Sequence, residues 1–185
     1  MSRAKTARPR PAQFNLLARI LHWLMAVGVL AMLFMGVGMM SSLTMRPALL
    51  NFHQSLGLAL LVLVIIRLAN RFLCGTPALP VSVPKLQRMI AGLSHWLLYG
   101  LLLTIPIIGW AMRSAGGWPI RLADGILLPP IAPVNATLYA VLRDAHGILG
   151  WTLFALVVAH IAAALMHAWV LRDVVFSSMT TGLRK

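Results

Sequence analysis

Residues 143–171 read RDAHGILGWTLFALVVAHIAAALMHAWVL. A stretch this long and apolar can cross a hydrocarbon core of about 30 Å, and it does so as a helix, because each backbone N–H and C=O must then be paired within the segment. It carries His146, His160 and His167. In a helix, the step from His146 to His160 falls about 40° short of four turns, and the step from His160 to His167 about 20° short of two. The three imidazoles therefore share one stripe. His146 and His160 are separated by about 21 Å along the axis, at about 1.5 Å per residue. Two imidazoles on one face, one toward each membrane surface, are what two stacked haems require.

Three further apolar runs precede this one, and the four spans are expected at about 16–40, 49–73, 90–112 and 144–171. Of the 185 residues, 60% are hydrophobic and only 10% charged, with mean hydropathy +0.87, which places the chain among integral membrane proteins. The fold class expected is an all-α membrane protein: a four-helix transmembrane bundle with two haems in its core. A basic tail is expected over 1–15, the transmembrane domain over 16–171 and a second short tail over 172–185. The first run is too long for a secretory signal, and no small-x-small cleavage site precedes a polar mature region. Pro106 falls inside the third span, where neighbouring helices can support a kink. Prolines and glycines in the long connection at 113–143 argue against a fifth span, and Trp118 there suits the interface belt.

The net charge of +13 is not a nucleic-acid signature, because the basic residues lie at the ends of the spans. Twelve Lys and Arg fall on the side of the two tails and the 2–3 connection, and four (Arg46, Arg113, Arg121 and Arg143) on the other. Both termini are therefore expected in the cytoplasm. In that orientation His53 and His146 lie at the outer depth, and His22 and His160 at the inner depth. His95 and His167 also lie on the inner side.

Four histidines that pair by depth point to metal ligation. Position i+4 lies one turn on, on the same face. After His22, His53, His146 and His160 that position is Ala26, Gly57, Gly150 and Ala164, whereas after His95 and His167 it is Tyr99 and Leu171. A flat macrocycle lying against a helix needs such small neighbours beside its ligand. The single cysteine, Cys74, and the absence of a C-x-x-C-H motif exclude covalent haem attachment, so a haem here is of the b type. Zinc and di-iron sites fit less well: the only acids, Asp124, Asp144 and Asp173, lie at the edge of the expected spans or outside them.

The segments ARILHWLMA, NFHQSLGLALLVLVIIRL, GLSHWLLYGLLLTIPIIGW and DAHGILGW…VVAHIAAALMH resemble the bacterial cytochrome b561 family of four-helix dihaem membrane proteins. The resemblance covers nearly the whole chain apart from the tails and the long connection. It implies two non-covalent bis-His haems b, with His22, His53, His146 and His160 as axial ligands. It also implies the bacterial inner membrane and, for one type of member, a superoxide oxidase that passes electrons to ubiquinone. Other members relay electrons between the quinone pool and a protein partner. A small proton-coupled carrier using the same histidines is a third, non-redox class. On the superoxide reading, Arg46, Arg113, Arg121 and Arg143 steer the anion to the outer site, Arg46 and Arg143 foremost. Arg143, and Arg19 inside, are also candidates to pair with haem propionates. His95 and His167 are the candidate quinone contacts, with Trp96 as a wall.

Overall fold

The structure of the protein, a computed structural model, is described here over residues 13–78, 83–122, 125 and 127–180. Most of the basic tail (Arg3, Lys5, Arg8 and Arg10) lies outside the described residues, as do Pro80, Asp124, Arg184 and Lys185. Four long helices dominate: α1 (Leu16–Ser41), α2 (Arg46–Cys74), α3 (Lys85–Ala115) and α4 (Ala136–Leu165). All four are long and apolar enough to cross a membrane. The chain is an all-helical, multi-pass membrane protein. Helix α4 continues as a π-helical segment over Met166–Leu171, and a single turn, α5 (Val174–Ser177), closes the described chain.

Local chemistry sets the ends of each helix. Asn15 caps α1, its side chain accepting from the Ala18 N–H at 2.7 Å. Pro47 sits in the first turn of α2, where its missing N–H costs nothing. Gly75, at φ 72, stops α2 in a conformation that a side chain would resist. Asn135 caps α4 through its side chain and the Leu138 N–H at 2.9 Å. Helix α4 therefore begins eight residues before the expected span, and the long connection shortens to 116–135. Helix α3 continues past Pro106 without a break.

The helices pack in chain order, α1 on α2, α2 on α3 and α3 on α4. The core joins Met25 and Val29 of α1, Leu60 and Val64 of α2, Tyr99 and Leu101 of α3, and Leu153 of α4. Glycine brings α1 and α2 close. A Cβ at Gly28 would stand 2.9 Å from Leu60 Cδ2. Lipid tails are as apolar as leucine, so close backbone approach through small residues is what favours such a pair in a bilayer.

Polar bonds lock the same two helices at one end. Asn15 and Asn70 exchange amide hydrogen bonds of 3.0 and 3.3 Å, and Arg67 Nη1 donates to the Ala18 carbonyl at 2.7 Å. Asn70 is buried, so losing its partner leaves an amide unpaired in an apolar setting. Asn70→Ala is expected to lower stability by about 1 kcal/mol. Unfolding in mixed detergent micelles measures it, and an unchanged midpoint would show that the pair contributes nothing.

Candidate haem sites

Helices α3 and α4 run antiparallel and carry matched positions. On α4, His146 and His160 are fourteen residues apart; on α3, so are His95 and Gly109. The His95 ring lies beside His160, with centroids 5.6 Å apart. A Cβ on Gly109 would stand 3.1 Å from His146 Cε1, so any side chain there would crowd that ring. Gly109 was not singled out from the sequence, although its distance from His95 repeats the histidine spacing of α4.

The remaining imidazoles come from α1 and α2. His53 of α2 faces His146 with ring centroids 6.1 Å apart, and His22 of α1 faces His160 at 6.2 Å. The planes in each pair are steeply inclined, at 68° and 76°. Two imidazoles sharing one metal atom, at about 2.1 Å per bond and about 1.1 Å from nitrogen to ring centre, have centroids about 6.4 Å apart. Both separations match that geometry, and the His95–His160 separation is shorter. The Nδ1 atoms of His53 and His146 are buried with no hydrogen-bond partner among the described residues. The Ile105 carbonyl is near the His146 ring but short of hydrogen-bond geometry to Nδ1. Buried ring nitrogens are rarely left unpaired. No group of three or more His, Cys, Asp or Glu side chains converges among the described residues. A bare zinc or di-iron centre would be short of ligands, whereas a macrocycle brings four of its own.

The small residues expected beside the ligands behave unequally. A Cβ at Gly150 would meet nothing within 4 Å, and Ala26 and Ala164 are half-buried. Gly57 differs from expectation. It is buried against α1, where its Cβ would stand 3.3 Å from Met32 Cε, so it serves the α1–α2 contact. One turn beyond a histidine does not guarantee the same neighbour when a third helix packs at that height.

His167 also departs from expectation. The segment from Met166 is π-helical, and each of its residues advances less around the axis than an α residue, so His167 falls behind the stripe of His160. Its Nδ1 lies 2.6 Å from Asp173 Oδ2. Trp96 packs between Phe72, Tyr99 and the Arg71 guanidinium, which lies 5.2 Å from its ring centroid. Arg19 Nη1 donates to the Thr180 carbonyl at 3.2 Å while its Nε is buried without a partner.

At the opposite end the 116–135 connection folds back on α3. Trp110 Nε1 donates to the Pro129 carbonyl, and the Ile131 N–H donates to Ser114 Oγ. Trp118 stacks edge-on against Tyr139, and the Arg113 guanidinium lies over the Trp118 ring at 5.4 Å. Arg113 is one turn beyond Gly109 and half-buried, with an unpartnered Nε. Arg46, Arg121 and Arg143 are exposed.

The sequence pattern of the prokaryotic cytochrome b561 family matches residues 13–182. The chain belongs to that family. A probable superoxide oxidase, CybB, of Yersinia pestis is 34% identical over 133 residues, 69% of this chain and 72% of the relative. Cytochrome b561 homolog 2 of Escherichia coli strain K12 is 29% identical over 170 residues, 88% of each chain. Cytochrome b561 homolog 1 of the same strain is 27% identical over 123 residues, 65% of this chain and 68% of that one. Membership makes this cytochrome b561 relative a haem b protein of membrane electron transfer, an oxidoreductase in the general sense.

Gly109→Val would push a branched side chain into the His146 ring. Bound haem is expected to fall while helix content, read by circular dichroism, stays constant. Full haem content in this variant would show that the His146 ring takes no part in holding it.

Proposed function

We propose that this cytochrome b561 is a dihaem superoxide:ubiquinone oxidoreductase. Two superoxide ions each give up one electron and leave as O2, and one ubiquinone takes two electrons and two protons to become ubiquinol. The observation that carries this reading is the two imidazole pairs on α4, each at the separation of rings sharing one metal atom. His53 with His146 would hold the outer haem, and His22 with His160 the inner. A haem with two axial imidazoles has no open iron position and supplies one-electron outer-sphere transfer. His95, at 5.6 Å from His160, is a neighbour of the inner pair rather than a third ligand.

The chain's own residues divide the remaining work. Arg46, Arg121 and Arg143 are exposed and Arg113 is half-buried. Together they raise the local concentration of a small anion, and its on-rate, at the outer mouth. Arg113 is the best placed, because Trp118 fixes its guanidinium one turn from the Gly109–His146 contact. At the other end, a quinone needs donors for its carbonyls and apolar walls for its ring. His95, His167 and Trp96 are the groups available there. That end also carries Arg19, Arg67, Arg71, Lys85, Arg88 and Arg172, which supports cytoplasmic termini in the bacterial inner membrane. The relative named a probable superoxide oxidase supports the choice of donor.

Purified holoprotein mixed rapidly with superoxide, with no protein partner present, is expected to show fast haem reduction, and then quinol formation when ubiquinone is added. Inertness toward superoxide beside fast exchange with a soluble redox protein would replace this reading with that of a relay. For the ligands, His22→Ala and His160→Ala are each expected to keep one haem per chain, and His95→Ala two, measured as pyridine haemochrome per protein. Two haems in both of the first variants would refute the inner pair.

A further inference from the structure

The polar pair His167–Asp173 sits at the end of the bundle that carries both the start of α1 and the end of α4. It is built with some care. Asp173 Oδ2 is 2.6 Å from His167 Nδ1, and the Asp173 N–H donates to the His167 carbonyl at 3.2 Å. The other carboxylate oxygen, Oδ1, accepts from the Val175 N–H at 2.9 Å and caps α5. Two uncommon backbone states bring the residues together: the π-helical segment Met166–Leu171 and the left-handed Arg172 at φ 51. A non-glycine residue at positive φ and a π segment both concentrate at functional sites. Bonds from α1, Trp23 Nε1 to the Met179 carbonyl at 3.0 Å and Arg19 Nη1 to the Thr180 carbonyl at 3.2 Å, hold the chain after α5 against the bundle.

We propose that His167 and Asp173 are the proton-delivering pair of the quinone site, with Asp173 as the positioning residue. This rests on the quinone-reducing reading above. With Nδ1 taken by the carboxylate, Nε2 is the ring nitrogen left for a ligand. The carboxylate fixes the tautomer and orientation of the ring, as a carboxylate does for a histidine general acid–base. As electrons arrive on the quinone, the N–H bond at Nε2 breaks and an O–H bond forms at a quinone carbonyl oxygen. The other carbonyl oxygen takes its proton from water, and water returns a proton to the ring before the next turnover. Asp173 lines an open cleft of about 570 Å³ together with Arg172 and Ser177, among others. The other charged groups here are already engaged with backbone carbonyls, Arg172 Nε with that of Trp169 and Arg19 with that of Thr180. Neither pairs with Asp173 among the described residues.

The two oxygens of Asp173 allow a clean test. Asp173→Asn keeps an oxygen to cap α5 and removes the charge. Chemically reduced holoprotein is mixed with a short-chain, water-soluble ubiquinone, and its reoxidation is followed by absorbance. In Asp173→Asn the limiting rate is expected to fall about 10²-fold, with the half-saturating quinone concentration within about twofold. Asp173→Glu is expected to recover part of the rate. His167→Gln, which leaves the α5 cap in place, should show the same slowing. The haem content and reduced absorbance spectrum of these variants should match the wild type. Reoxidation of Asp173→Asn at the wild-type rate would overturn the proposal and leave Asp173 as a helix cap. So would a change in the half-saturating concentration alone. Wild-type reduced protein that ubiquinone fails to oxidise would instead overturn the quinone reading itself.

Discussion

An imidazole inside a bilayer has few ways to satisfy two ring nitrogens. Water is scarce, and the helical backbone uses its own donors and acceptors internally. All six histidines of this chain lie within the membrane-spanning segments, and four of them meet in two pairs that each include a ring of α4. Everything else in the bundle serves that meeting. Helix α3 presents Gly109 at one height and His95 at the other, so that each α4 ring has a neighbour shaped to it. Helices α1 and α2 are clamped to each other by Gly28, Asn15, Asn70 and Arg67, which fixes His22 and His53 in register as a unit.

The two ends of the bundle are closed by different chemistry. At one end the 116–135 connection is stitched to α3 by an indole, a hydroxyl and backbone bonds, and it holds Arg113 under Trp118. Most of the chain's Lys and Arg lie at the other end. At the other end the π-helical segment and α5 turn the chain back under α1, and they place one of the three acids of the sequence beside a histidine. On the function proposed above, this is the end at which protons would be handled.

The bundle and the pairing of depths were legible in the sequence because both follow from regular repeats. Hydropathy over long windows reports span number, and helical periodicity reports which histidines share a face. What stayed hidden depends on departures from regularity. His167 could not be placed from a straight helix, because the π segment alters the rotation per residue just before it. Asp173 read as a solvent-side acid, since nothing in the local sequence announces a left-handed Arg172 that turns it back. Gly57 read as space beside His53, whereas the long, flexible Met32 of α1 reaches it. The start of α4 was missed for a simpler reason: Asn135 is a good cap, but the polar turn it opens is not apolar enough to register as membrane span.

The central claim is that each of two imidazole pairs clasps one iron. Electron paramagnetic resonance of the oxidised, purified protein addresses it most directly. The account predicts two distinct low-spin ferric signals of the bis-imidazole type, each integrating to about one spin per chain. A high-spin signal, or one low-spin signal accounting for all the iron, would contradict it.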